Sequence, residues 1–131
     1  MEKEVWETLH RHLSAIYAGD WEIYDETTSD DVVVYEWFVT PHRIEGKSFH
    51  AFMLEHDWAG TGKDWRYDLL EPRLDLFGTV AVASYTLLLT VAGEDGVRHQ
   101  TVNETRVLVK YPEGWKVVHV HKSPGASQVL G

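Results

Sequence analysis

The amino-acid sequence predicts an α+β domain in which helices pack on one face of a curved antiparallel sheet. Three observations support this prediction. Apolar residues near the start of the chain recur at helical spacing, and the second half holds four long segments rich in β-branched and aromatic residues. The chain has 131 residues, 44% of them hydrophobic and 25% charged, which is typical of one globular domain with a single core. We therefore expect a single domain over residues 1–131.

The predicted helices are recognised by apolar spacing and by their end signals. A helix is predicted over Glu2–Ala18, because apolar residues recur there every three or four positions. Gly19 can end this helix, and Asp20 can cap a short second helix that runs through Tyr24. A third helix is predicted over Lys47–Trp58.

The predicted strands are rich in β-branched and aromatic residues. One strand is predicted over Asp31–Val39, a short strand follows it, and Ala59–Lys63 is expected to form a loop. The other four predicted strands are antiparallel, and they are Trp65–Phe77, Thr79–Val91, Val97–Tyr111 and Trp115–His121.

Two turns indicate which side chains share a face of the sheet. If Tyr111 pairs with Trp115 around the turn Pro112–Gly114, three cross-strand pairs lie on one face. These pairs are Leu108 with Val118, Arg106 with Val120, and Glu104 with Lys122. If Val91 pairs with Val97 in the preceding hairpin, the same face also carries Val82, Ser84, Thr86 and Leu88.

The opposite face of the sheet is expected to be apolar as well. Its predicted apolar residues are Leu87, Leu89, Val107, Val109 and Val117. Because the helices can cover only one face, the outer sheet face needs another partner, and a second copy of the chain is the simplest one. We therefore expect a homo-oligomer, a dimer or larger, that associates through this face.

Charge and motif content exclude several classes of function. The formal net charge is −9, with no cluster of Lys or Arg, so we expect neither nucleic acid nor a membrane as a partner. The absence of cysteine excludes a disulfide scaffold and a thiol nucleophile. No glycine-rich phosphate loop and no His-Glu-x-x-His motif is present, so we expect no cofactor and no metal. A cytoplasmic location is expected, since no apolar run suits a signal peptide.

Arg106 is the most informative charged residue. It lies in the middle of a predicted strand, on the face that the helices cover, where a guanidinium group needs an anionic partner. Glu104 and Lys122 share that face. Two interpretations stay open: a pocket whose basic end holds a small carboxylate, or an internal ion pair of Arg106 with Glu104 or Glu36.

Glu36 and the histidines are the other candidates for chemistry. Glu36 interrupts an apolar strand, where it could be a general base with a raised pKa or a counter-ion for Arg106. His50, on the third helix, is either a pocket residue or a solvated one. His119 and His121 have a spacing that can hold zinc, but polar positions at a subunit interface are the commoner explanation. The histidines expected at the surface are His10, His12, His42, His56 and His99.

The C-terminal segment NETRVLVKYPEGWKVVHVHKS, Asn103–Ser123, carries a specific pattern: E-T-R-V, followed by G-W-x-x-V-H-x-H-K-S. Earlier segments agree in the same order: AIYAGDWEIY, Tyr35-Glu36, Ile44-Glu45-Gly46 and Phe49-His50-x-Phe52. With these motifs the chain resembles the nuclear transport factor 2-like (SnoaL-like) superfamily over nearly its whole length. Within it, the chain most closely resembles the association (hub) domain of calcium/calmodulin-dependent protein kinase II.

The resemblance implies a cone-shaped fold, in which a strongly curved antiparallel sheet wraps around the long N-terminal helix. The helices would lie on the concave face, with a deep pocket at the open end. In hub domains, arginines line this pocket and bind small carboxylates. Arg106 matches one of these arginines, Lys122 takes the place of another, and His50 matches a histidine at the pocket mouth. The chain departs from the pattern at Thr86, where the hub pocket carries a further arginine.

The expected function is a non-catalytic homo-oligomeric association domain with a basic-ended pocket for a small carboxylate or similar polar organic molecule. Its expected pocket residues are Arg106, Lys122, Glu104, Glu36 and His50. Wider relatives include isomerases, dehydratases and polyketide cyclases. The alternative is therefore a cofactor-independent proton-transfer enzyme that uses Glu36 or His50 as its base. A third possibility is a purely structural oligomeriser.

Overall fold

The computed structural model describes residues 1–37, 42–57, 62 and 64–125. The helices in these ranges, numbered in chain order, are α1 Glu2–Ala18, α2 Trp21–Glu26 and α3 Ser48–Glu55. The strands are β1 Thr28–Tyr35, β2 Ile44–Glu45, β3 Trp65–Phe77, β4 Val80–Gly93, β5 Gly96–Tyr111 and β6 Gly114–Pro124.

The predicted elements are present, although several end elsewhere. The first strand begins at Thr28, before the predicted start, and ends at Tyr35. The third helix is shorter than the predicted Lys47–Trp58. The described residues exclude positions 38–39 of the predicted strand and position 58 of the predicted helix. They also exclude the predicted loop Ala59–Lys63, apart from Gly62.

The six described strands form one sheet in the order β2-β1-β6-β5-β4-β3. Neighbouring strands are antiparallel, except that β1 and β6 pair in parallel. Helix α1 contacts both β6 and β3, which are three places apart in the sheet, so the sheet curves around this helix. The predicted α+β class, with a curved sheet around a long N-terminal helix, is confirmed, but the parallel pair of β1 and β6 makes the sheet mixed rather than antiparallel as predicted.

Helix α1 fills the concave side of the sheet. Leu9 and Leu13 on its inner face are completely buried, and each such burial contributes about 2 kcal/mol. Gly19 ends the helix, as predicted, with a φ of 70° in the left-handed region that favours glycine. The carboxylate of Asp20 then accepts a hydrogen bond from the N–H of Ile23 at 3.2 Å and caps α2.

The last hairpin pairs the charged residues as predicted. Glu104 lies opposite Lys122, and Arg106 lies opposite Val120. All four side chains are buried, so this row of the sheet faces the helices. The charged groups of β5 and β6 therefore lie inside the fold.

The turn between β5 and β6 differs from the predicted turn, although the pairs of the charged residues are the predicted ones. Tyr111 pairs with Gly114 rather than with Trp115, so the turn is one residue tighter than expected. The register shifts after Val107, and Leu108 pairs with Val117, which is fully buried and not on the outer face as predicted. Because the bulge offsets the tighter turn, the pairs beyond it, Arg106 with Val120 and Glu104 with Lys122, are the predicted ones.

The β4–β5 hairpin differs from the prediction by one residue. Val91 pairs with Arg98 rather than with Val97, because the strands close through a two-residue turn between Gly93 and Gly96. Gly96 has a φ of 111°, which favours glycine at this position. A shift of one residue moves every side chain of β4 to the other face.

The concave face of β4 consequently carries a buried row: Ala81, Ala83, Tyr85, Leu87, Leu89 and Val91. The prediction that Leu87 and Leu89 face outward is therefore wrong, and so is the prediction that Thr86 faces inward. Thr86 lies opposite Asn103, and its hydroxyl donates to the Asn103 side chain at 2.6 Å. The convex side, called the outer face below, has a half-buried apolar row: Val80, Val82, Leu88, Val107 and Val109.

His12 is buried, with 1% of its surface exposed, so the prediction of a surface position is wrong. It lies three residues after Leu9 and four before Ile16, which places it within the buried stripe of α1. Its Nδ1 lies 3.1 Å from the hydroxyl of Thr27 and 3.2 Å from that of Thr28. The other four histidines expected at the surface are exposed.

Candidate functional site

The candidate site lies on the concave face, where four elements bring charged side chains together. Glu104 and Arg106 point inward from β5, and Lys122 points inward from the neighbouring β6. Glu36 directly follows β1, and His50 lies on α3. All five predicted site residues are buried, with exposures between 1% and 7%.

Arg106 pairs with Glu104. Its Nη1 donates to Glu104 Oε1 at 2.7 Å, and the hydroxyl of Tyr85 donates to the same oxygen at 2.7 Å. Arg106 Nη1 also lies 3.4 Å from the Tyr85 oxygen. Of the two counter-ions considered for Arg106, the structure thus selects Glu104. Sequence reasoning missed Tyr85, because the predicted hairpin register placed it on the other face.

Glu36 pairs with Lys122. The ammonium group of Lys122 donates to Glu36 Oε1 at 2.9 Å, and His50 Nε2 lies 3.4 Å from the same oxygen. Burial alone would raise the pKa of Glu36, but the charge of Lys122 and the hydrogen bonds from His50 and Lys122 lower it to about 2. The expectation of a raised pKa is therefore wrong, and Glu36 is an anion at neutral pH.

A small cavity lies between these groups, and four of the predicted site residues line it. Its lining residues are Ile16, Tyr24, Val34, Glu36, His50, Leu54, Arg106, Val120 and Lys122. The space open to the centre of a water-sized molecule is about 10 Å³, which is room for roughly one water. Glu104 is the exception among the predicted residues, since it holds Arg106 without lining this inner cavity.

Three polar atoms of cavity-lining residues lack hydrogen-bond partners within the part of the chain that the structure describes. They are Glu36 Oε2, His50 Nδ1 and Arg106 Nε. A buried polar atom without a partner costs about 1–3 kcal/mol. The residues around the inner cavity therefore have hydrogen-bonding capacity that the described part of the chain does not use.

The cavity-lining rings of Tyr24 and His50 belong to an aromatic stack that continues to His12. The ring of Tyr24 lies between the imidazoles of His12 and His50, with centroid distances of 5.0 and 5.9 Å. Burial lowers the pKa of His12 well below its usual value, and the nearby charges of Arg106 and Lys122 lower it further. His12 is therefore neutral at physiological pH and adds no charge to the site.

His119 and His121 lie away from this site, opposite Val107 and Thr105 on the outer face, as predicted. The ring of His121 stacks on Tyr35 with a centroid distance of 4.9 Å. Among the described residues, no three His, Asp or Glu side chains are grouped as a metal site requires. Nor do the described helices include one with the length and apolar character needed to cross a membrane.

Solved structures show which proteins share this fold. The hub homology domain of the calcium/calmodulin-dependent kinase from Chlamydomonas reinhardtii superposes with a TM-score of 0.86 and 28% identity. This superposition covers 95% of this chain and 98% of that one. A nuclear transport factor 2-like protein from Salmonella enterica matches with a TM-score of 0.77 at 24% identity, over 98% of this chain and 94% of that one, which shows the shared fold alone.

Sequence comparison shows the family. The Drosophila melanogaster calcium/calmodulin-dependent protein kinase type II alpha chain is 27% identical over 126 residues, which are 95% of this chain. The chain spans about a quarter of that relative's length, since the match covers 24% of it. The family model of the calcium/calmodulin dependent protein kinase II association domain matches residues 1–126. The chain therefore belongs to the calcium/calmodulin-dependent protein kinase II association-domain family.

Proposed function

We propose that the chain is a non-catalytic association domain that joins copies of itself through the outer face. The observation that carries this proposal is the membership of residues 1–126 in an association-domain family. The fold supports it, because the packed helices and the charged site lie on the concave side. We also propose a cytoplasmic location for the chain.

The outer face has the chemistry expected of a surface that a second copy covers. Its apolar row runs across the middle strands, with Val82 opposite Val107 and Val80 opposite Val109. Along the β3 edge, exposed arginine–aspartate pairs flank this row: Arg66 with Asp68, and Arg73 with Asp75. An apolar centre with a charged rim is the usual anatomy of a protein interface.

The interface is tested by placing a charge in the apolar row. We expect Val107→Lys to dissociate the assembly in light scattering, because a buried ammonium group without a partner opposes association. Phe52→Lys is the control, since Phe52 is 61% exposed on α3, which packs on the concave side of the sheet. Equal dissociation by both variants, or by neither, would contradict the proposed interface.

We further propose that the inner cavity binds a small carboxylate or similar polar organic molecule. Arg106 and Lys122 both line it, and the Nε–H of Arg106 is unpartnered among the described residues. Ile16 and Leu54 also line a neighbouring cavity of about 160 Å³. Movement of these two side chains would join the cavities and make room for a molecule larger than water.

A thermal-shift measurement with propionate, and with propionamide as its neutral analogue, tests this binding. At a hundred times its dissociation constant, propionate should stabilise the chain by about 2.7 kcal/mol. The double variant Arg106→Gln/Glu104→Gln removes both charges of the buried pair and should abolish the shift. The exposed pair Arg73–Asp75 gives the control variant Arg73→Gln/Asp75→Asn. A shift that survives loss of Arg106 would place the binding elsewhere.

A proton-transfer enzyme is the second candidate function, and one contact favours it. His50 Nε2 lies against the Glu36 carboxylate, which leaves Nδ1 as the basic nitrogen of an oriented imidazole. Glu36 itself is a poor base, because its pKa is about 2. If this function holds, turnover of a carbonyl substrate should disappear in His50→Gln and persist in the exposed control His56→Gln.

A further inference from the structure

The donors around Glu36 leave one side of its carboxylate free. Lys122 Nζ and His50 Nε2 both reach Oε1, at 2.9 and 3.4 Å. The other oxygen, Oε2, is buried and has no hydrogen-bond partner among the residues that the structure covers. Glu36 therefore keeps one buried acceptor without a hydrogen bond from the described residues, on a group that carries negative charge.

Arg106 is the cationic counterpart of Glu36, since one of its nitrogen donors also lacks a hydrogen-bond partner in the described part of the chain. Its Nη1 serves Glu104 and Tyr85, while its Nε is buried without a partner in the described ranges. Because Arg106 and Glu36 line the same inner cavity, an unpartnered cationic donor and an unpartnered anionic acceptor belong to residues of one site.

The buried charges of the site are already balanced. Arg106 pairs with Glu104, and Lys122 pairs with Glu36, so the four groups sum to zero. A simple carboxylate would add a net negative charge to a buried site that already contains the Glu36 carboxylate. A molecule with both an ammonium and a carboxylate group adds no net charge, and its burial is less costly.

We propose that the inner cavity, joined to the neighbouring cavity of about 160 Å³ by movement of Ile16 and Leu54, selects small amino carboxylates. The ammonium end binds Glu36 Oε2, and the carboxylate end binds the Nε–H of Arg106. Glu36 is then the residue that determines specificity, and Arg106 provides the anion contact. This inference rests on the proposed carboxylate-binding function and specifies the class of ligand.

Titration calorimetry of the full chain with β-alanine and propionate tests the selection, since propionate has the same chain length but lacks the ammonium group. We expect the wild type to bind β-alanine at least about tenfold more tightly than propionate. In Glu36→Gln the shape is kept and the charge is lost, so propionate should become the tighter ligand. Glu45→Gln removes an exposed carboxylate, and its preference should match the wild type.

The outcomes separate this inference from the function on which it rests. Propionate binding that equals or exceeds β-alanine binding in the wild type overturns the selection and leaves carboxylate binding in place. Failure of both probes overturns carboxylate binding and the selection together. If Glu36→Gln does not fold, Glu36→Gln/Lys122→Gln removes both partners, and an unchanged preference for β-alanine in it also overturns the role of Glu36.

Discussion

Glu36 and Lys122 are 86 positions apart in the chain, yet the ammonium group of Lys122 donates to Glu36 Oε1 at 2.9 Å inside the fold. The parallel pairing of β1 with β6 brings them together, because Tyr35 lies opposite His121 and the residues that follow these two, Glu36 and Lys122, are both buried. Both side chains are buried, so solvent screens this ion pair very little.

Removal of one partner from this pair should be strongly destabilising. We expect Lys122→Met to lower the free energy of unfolding by about 3–5 kcal/mol, because Glu36 would be left as an unpaired buried charge. Urea denaturation measures the loss, and Glu36→Gln/Lys122→Met should recover most of it. Lys116→Met, at the more exposed pair Lys116–Glu113, should cost less than about 1 kcal/mol. Equal losses at both lysines would contradict the buried pair.

The same ion pair predicts how the free energy of unfolding depends on pH. The pKa of Glu36 is about 2 in the folded chain, against 4.5 for an unperturbed glutamate. A depressed carboxyl pKa stabilises the fold above the unfolded value, and this stabilisation is lost as pH falls from 4.5 towards 2. The loss amounts to about 3 kcal/mol.

Unfolding by urea at a series of pH values detects this loss. Glu36→Gln should remove that part of the pH dependence, whereas Glu45→Gln, at an exposed carboxylate, should keep it. A wild-type profile that is flat between pH 4.5 and pH 2 would show that Glu36 is not held as an anion.

His12 should make the fold sensitive to pH in a higher range. Its pKa is lowered by burial, so the unfolded chain takes up a proton below about pH 6.5 while the folded chain does not. Stability should therefore decline as pH falls below that value. His12→Leu should flatten this part of the profile, whereas the exposed control His42→Leu should leave it unchanged.

Tyr85 is predicted to hold the Arg106–Glu104 pair in place. Tyr85→Phe removes the hydroxyl that donates to Glu104 at 2.7 Å, and loss of a hydrogen bond to a charged group costs about 1.5–3 kcal/mol. Thermal unfolding should show this loss. Tyr111→Phe, at a ring that Lys116 approaches from one face, should change stability by less than about 0.5 kcal/mol.

The sequence predicted the helices, the strand order along the chain and the inward row of Glu104, Arg106 and Lys122. These predictions depend on periodicity and on one short turn, which are local properties. The contact between Glu36 and Lys122 was not predicted, since it depends on a parallel pairing of strands that are far apart in the chain.

Two predictions, the β4–β5 register and the exposure of His12, are wrong for a shared reason. Each depends on which face of an element a side chain occupies, and the local features used for the prediction do not determine this. The segment between β4 and β5 is rich in glycine, so the turn can be placed at several positions. A shift of one residue in the pairing moves every side chain of β4 to the other face of the sheet. Residue type predicts a surface position for His12, whereas its spacing from Leu9 and Ile16 indicates the buried face. Spacing was the better guide at that position.

The proposed self-association is tested most directly by the molar mass of the chain in solution. Light scattering during size-exclusion chromatography of the wild type should give a multiple of the 15.1 kDa chain mass, two chains or more. A mass of 15.1 kDa across the accessible concentration range would contradict association through the outer face.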